Sequence, residues 1–168
     1  MNAAYFRQLS QYNAWANARV YAACAALTDE ERKRRRPSFF GSIHRTLNHI
    51  LVGDRVWLSR LDGRAHGVTS LDQELYGDFD ELSAARGAED ARLQAVVSGY
   101  KDEDLQRYLA YRSMAGEAKS VPMAQLLGHL FNHQTHHRGQ IHGLLSDTPV
   151  APPSLDLISF DWEAGRPA

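Results

Sequence analysis

The sequence predicts an all-α protein, a four-helix bundle with a short hairpin or extended insertion before the last long helix. Apolar residues recur at three- and four-residue spacing in four segments, each long enough for a packed helix. Glycine or proline stands at most of the boundaries between them. The chain has 168 residues, 43% of them apolar, enough to close one core unaided. A single domain over residues 1–168 follows.

The first helix is expected from about Asn2 to Leu27, on the stripe Leu9, Asn13, Ala16, Val20, Ala23 and Leu27. A basic stretch, Arg32 to Arg36, ends at Pro37 and reads as a solvated loop. The second helix runs from about Ser42 to Leu61, bounded by Gly41 and Gly63, with Ile43, Leu47, Ile50, Trp57 and Leu61 on its main stripe. A polar connector, Asp62 to Tyr76, leads to a weaker third helix from about Phe79 to Tyr100, in which Gly87 and Gly99 each cost about 1 kcal/mol relative to alanine. The segment LQRYLAYRSMAGEAKSVPM alternates loosely around Ala115-Gly116, as a hairpin or extended excursion does. Pro122 suits the first turn of the fourth helix, which runs to about Leu145 and stops before Pro149. Apolar residues in the tail APPSLDLISFDW are expected to dock on the bundle.

Charge and composition exclude several classes. The formal net charge is −1 and the isoelectric point about 6.7, so no global field draws the chain to nucleic acid or to an anionic membrane. The cations of 32–36 stand beside Asp29, Glu30 and Glu31, whereas nucleic-acid recognition calls for a broader basic face. Cys24 is the single cysteine, which excludes an internal disulfide framework and fits a reducing compartment. The N-terminus lacks the apolar run of a signal peptide, and no run approaches the roughly 20 residues of a membrane span. A cytoplasmic protein acting on a small molecule, without nucleic acid or membrane, is the expectation.

Eight histidines stand in the chain, five of them between His129 and His142. At about 100° per residue, Met123, Leu126, Leu127, Leu130, Ile141, Leu144 and Leu145 form one stripe that takes in His133 and His137. His129 and His136 lie to one side of it and His142 well off it. Residues at i and i+4 stack roughly 5–6 Å apart, which lets two imidazoles meet on one ion. The alternative is two core histidines, each satisfied by its own hydrogen bond; burying both rings without a common purpose is costly. Gln134 follows the first histidine, so the H-E-x-x-H hydrolase motif is absent. A third ligand would come from His44 or His49 on the second helix. These lie about equally far from its main stripe on opposite sides, and spacing does not choose between them.

Three motifs carry a resemblance over most of the chain: YNAWAN (Tyr12 to Asn17), LNHILVGDRVW (Leu47 to Trp57) and LLGHLFNHQTHHRGQ (Leu126 to Gln140), the last the most specific. Together they resemble the DinB/YfiT-like family. The resemblance implies a metal bound by the histidine of the second-helix motif and by the pair before Arg-Gly-Gln, here His49, His133 and His137. It also implies an open cleft with coordination positions left for water or substrate, the mark of a catalytic site. One divalent ion, zinc or nickel, is the implied cofactor, together with a low-molecular-weight thiol, since characterised relatives include thiol-dependent transferases and isomerases. A metal-bound thiol is acidified to a thiolate that attacks an electrophile. The implied function is thus a metal-dependent thiol transferase, or a related isomerase or hydrolase, activating a thiol or water; homodimers are common in the class. The alternative from another class is a non-catalytic metal-binding, stress-related interaction protein.

Several neighbouring residues have two readings. Asp54 falls in the second helix's main stripe, either orienting a ligand imidazole or, the favoured reading, buried in an ion pair or hydrogen bond to another helix such as Asn13. Gln140, one turn beyond His137, is placed to touch bound water or substrate. Arg138 lies off the ligand face and reads as a cap or interface salt bridge. Trp15 and Trp57 read as core packing before cleft lining, and Cys24 as a buried inert thiol.

Overall fold

A computed structural model describes residues 1–164; the last four residues of the domain expected over 1–168 lie outside the described residues. Four long helices form the bundle: α1 (Ala3–Ala25), α3 (Ile43–Asp62), α4 (Phe79–Ser98) and α5 (Met123–Leu145). Short helices α2 (Asp29–Lys33) and α6 (Leu157–Glu163) flank them. The strands β1 (Tyr108–Arg112) and β2 (Ala118–Pro122) pair antiparallel, Leu109 opposite Val121, and form the expected insertion before α5. Among the described residues, no helix is long and apolar enough to cross a membrane.

Each long helix starts at a side-chain cap or a stiff residue. Asn2, Ser42 and Asp78 accept hydrogen bonds from the backbone N–H groups of Tyr5, Arg45 and Glu81, and Pro122 precedes α5. The segment 29–33 departs from expectation: it is a helical turn, not a loop. Thr28 caps it, Asp29, Glu30 and Glu31 fill its first turn, and Arg32 and Lys33 its last, the arrangement the helix dipole favours. The third long helix stops at Ser98 rather than Tyr100, because Gly99 takes the cap position.

Helix α1 packs on α4 and α5, and α3 packs on the same two, so α1 and α3 stand across the bundle from each other. The core divides into two apolar ends. Val20, Leu47, Leu51, Phe79, Leu82 and Ile141 fill one, and Phe6, Leu58, Leu93, Leu126, Leu127 and Leu130 the other. Between them lies a buried polar layer. Arg86 of α4 pairs with Asp54 of α3 at 2.6 Å and with Asp90 at 2.9 Å. Asn13 and Asn17 of α1 donate to Asp90, Gln134 of α5 donates to Asp54, and Arg138 donates to Asn13, Asn17 and Gln134. Burial works against the Arg86 charge, but Asp54 and Asp90 outweigh it and hold the guanidinium protonated above its ordinary range.

Asp54 therefore sits in a buried ion pair, with Arg86 rather than Asn13 as its partner. Arg138 is corrected more fully. It is 2% exposed, it spans α5 and α1, and its guanidinium lies over the Tyr12 ring at 5.4 Å. Packed between α1 and α3, α5 buries a wider arc than a single stripe predicts, with Gln134 turned to Asp54 of α3 and Arg138 to Asn13 and Asn17 of α1. The tail docks as expected: Phe160 of α6 is buried against Tyr12 and Trp15.

Candidate metal centre

The polar layer sets the register of α3 against α5 at the level of three histidines. His49 projects from α3, and His133 and His137 from successive turns of α5, which pack side by side. One nitrogen from each ring lies within 4.8 Å of the others. The Nε2 atoms of His49 and His133 are 3.2 Å apart. Among the described residues, no further histidine, cysteine or carboxylate joins this group.

Hydrogen bonds fix two of the three tautomers. His49 Nδ1 lies 2.8 Å from the Leu71 carbonyl oxygen and donates to it, which leaves the lone pair on Nε2, turned toward His133. His137 Nδ1 donates in the same way to Gln140 Oε1 at 2.8 Å. Such outer partners orient ligating imidazoles and raise their basicity. Burial lowers the pKa of each ring below the ordinary imidazole value. His133 falls to about 3, with His137 and His49 adding to the effect; for His49 the Leu71 carbonyl opposes it. All three are neutral at neutral pH, the state a metal ligand requires.

The donor set fits a divalent cation. A lone pair on His49 Nε2 at 3.2 Å from a second ring nitrogen is repulsive unless a proton or cation lies between them. Metal–imidazole bonds of about 2.0–2.1 Å at tetrahedral angles put ligand nitrogens about 3.3 Å apart. Three neutral imidazoles without a carboxylate suit zinc, nickel and their neighbours and do not choose among them.

Connector and loop shape the surroundings. Asn48 Oδ1 accepts the backbone N–H groups of Leu75 and Tyr76 at 2.8 and 3.0 Å, folding the 63–78 connector back along α3 and bringing the Leu71 carbonyl to His49. Gly41, at φ 80°, turns the chain before α3, and Phe40 stacks on His49 with ring centroids 4.0 Å apart. On the other flank Trp57, half-buried, meets His129 at 5.2 Å and Tyr111 at 5.4 Å. Trp15 packs far from the centre, against α6.

His44, the rival third ligand, is buried and spends its Nε2 on the Tyr76 carbonyl at 2.8 Å, apart from the cluster. Gln140 meets a cluster histidine directly. One helical turn brings its amide oxygen onto His137 Nδ1, an arrangement that orients that ring. His136, His129 and His142 do not join the cluster. Cys24 is fully buried, and burial pushes its thiol up to about 12, an inert state. The sequence reading missed Phe40, the Leu71 carbonyl and the role of Gly53, against whose backbone the His133 ring lies. A glycine one turn from a histidine on an apolar strip was the only local signal for the last; the other two depend on loop paths.

Fold and centre thus define a helical bundle with a three-histidine group able to hold a metal ion. The DinB family profile matches residues 1–167, and the chain belongs to that family. Protein DinB of Bacillus subtilis (strain 168) is 25% identical over 153 residues, covering 89% of each chain. The crystal structure of a DinB-like protein from Bacillus cereus ATCC 10987 superposes with a TM-score of 0.70 at 22% identity, over 91% of this chain and 97% of that one, and shows the same fold.

Proposed function

We propose that the protein is a metal-dependent enzyme whose His49, His133 and His137 hold one divalent ion and activate a thiol or water, with thiol transfer the leading reaction. The observation that carries this reading is the convergence of three neutral imidazoles, two locked with Nε2 facing inward, without a fourth protein donor among the described residues. A three-ligand set leaves coordination positions open, as catalytic centres do and structural ones do not. When bound, the ion would act as a Lewis acid that lowers the pKa of a thiol or water at neutral pH.

The chain's own residues do the rest. Leu71 and Gln140 hold the Nδ1 protons of His49 and His137 and so keep both rings aimed. Phe40 covers one side of the centre with apolar surface, stacking on His49 and meeting His137 edge-on. Gln134, buried and bonded to Asp54 and Arg138, is withdrawn from chemistry.

The test is elemental analysis of untagged protein beside His49→Ala and His137→Ala, followed by thiol-transfer assays on the loaded wild type. About one zinc or nickel per chain, lost in both variants while the helical spectrum survives, supports the centre. Undiminished metal in either variant refutes it. Metal bound with no thiol- or water-dependent turnover moves the weight to the non-catalytic metal-binding role.

A further inference from the structure

The basic stretch that reads as a solvated loop lines a cavity beside the histidine centre. This open cavity of about 950 Å³ is bounded by Lys33, Arg35, Arg36, Phe40, Ser42 and Arg45 among others, and no acidic residue lines it. It adjoins the centre in two ways. Phe40, part of its wall, stacks on His49 at 4.0 Å and meets His137 at 5.6 Å. Arg45 lies one helical turn before His49, so both side chains leave the same face of α3, roughly 5–6 Å apart at Cβ.

Most cations near this loop are spoken for, and two are not. Asp29 takes Lys33 at 2.8 Å and Arg32 at 3.8 Å; Glu31 takes Arg36 and, at 3.5 Å, Arg34. Arg36 is 4% exposed, its Nε has no hydrogen-bond partner, and its other acid, Asp147, stands 3.8 Å away. Arg35 and Arg45 are exposed and form no ion pair among the described residues; Arg45 acts on Asp72 only as one of several influences lowering its carboxyl. The N-terminus of the 20-residue helix α3, capped by Ser42, opens on the same wall and adds its dipole. Positive charge is thus concentrated in a concavity, although the chain's formal net charge is −1.

We infer that this cavity binds the carboxylate or phosphate group of a small anionic substrate or co-substrate whose reactive end reaches the histidine centre, with Arg35 and Arg45 as its principal contacts. Arginine forks suit both groups. The inference rests on the proposed metal-centred reaction for the ligand's other end, but the anion site can be tested without it.

Tripolyphosphate and tricarballylate would be titrated by calorimetry into the full metal-free chain, so that neither can bind through a metal. The proteins compared would be wild type, Arg35→Ala/Arg45→Ala, and Lys101→Ala/Arg107→Ala, which removes the same charge from the connection between α4 and β1. The site predicts binding of at least one anion by the wild type, roughly tenfold or more weaker in the Arg35/Arg45 variant and within about twofold in the control. Whichever anion binds more tightly identifies the group. No binding by the wild type, or equal weakening in both variants, overturns the proposal. Cobalt-loaded protein would then be titrated with mercaptosuccinate and 2-mercaptoethanol, reading the sulfur-to-cobalt charge-transfer band. Preference for the anionic thiol, lost in the Arg35/Arg45 variant, supports both readings. If neither thiol produces the band while the anion result stands, the thiol reaction fails and the anion site remains.

Discussion

Gly53→Ala is expected to weaken metal binding without touching a ligand and without harming the fold. A Cβ built on Gly53 would lie 2.7 Å from His133 Cε1, 3.2 Å from its Nδ1 and 3.6 Å from its Nε2. Carbon atoms pack at about 3.5–4.0 Å, so the imidazole must retreat by about 1 Å. It is the mobile end of a side chain, and moving it costs the bundle little. The centre is less tolerant, because ligand distances hold to about ±0.2 Å. Losing this alignment should weaken zinc about 100-fold, the upper end of what outer-shell changes cost, or about 3 kcal/mol. The metal-free protein should move the other way, since alanine is favoured over glycine within a helix by about 1 kcal/mol. Competition with a chromophoric zinc chelator measures the first effect, and a thermal melt in excess chelator the second. Wild-type zinc affinity in Gly53→Ala would refute the placement of His133 against α3. Falls in both affinity and metal-free stability would show that the substitution disturbs the helix rather than the ring.

Three other outcomes are expected. Gln140→Leu removes the acceptor for His137 Nδ1 and should weaken zinc about 10–100-fold at unchanged helicity, read by the same competition assay. Arg86→Met leaves Asp54 and Asp90 buried without their cation and should destabilise the fold by about 3–5 kcal/mol, seen as a lower urea midpoint. In the metal-free protein, His133 is neutral when folded down to about pH 3 but titrates near 6.5 when unfolded. Between those values the unfolded chain binds more protons, so stability falls as pH falls through that window. Urea unfolding across this range should show a steeper decline for wild type than for His133→Ala; parallel curves would mean that His133 is not held neutral by the fold.

How much was legible depends on the range of the interaction concerned. The four long helices were readable because helix periodicity, caps and glycine stops are local: Ser42, Gly41 and Gly63 bound α3 within a residue or two of expectation. Thr28 with the acids after it was an equally local signal for α2, obscured by the basic run that follows. His133 and His137 could be paired in advance because one helix carries both. Arg138 could not be placed, since its burial arises from the way α1 and α3 close over α5.

By itself, then, the sequence determined the helices, their boundaries, the insertion, the family and the i, i+4 histidine pair, all set within a turn or two of chain or carried by contiguous motifs. The tertiary structure decided what depends on chain segments far apart. The motif had already singled out His49 over His44; the structure added how each ring is held. The connector pinned by Asn48 ties His44 Nε2 to the Tyr76 carbonyl and His49 Nδ1 to that of Leu71, which leaves His49 Nε2 turned toward His133. Packing bound Asp54 to Arg86 instead of Asn13, since α4 presents its guanidinium where α3 buries the carboxylate. The path of the chain through Gly41 gathered part of a solvated-looking basic run around a cavity whose wall, at Phe40, meets His49. No local pattern specifies which loop backbone, or which cation, will meet a given helix face; only the closing of the bundle does.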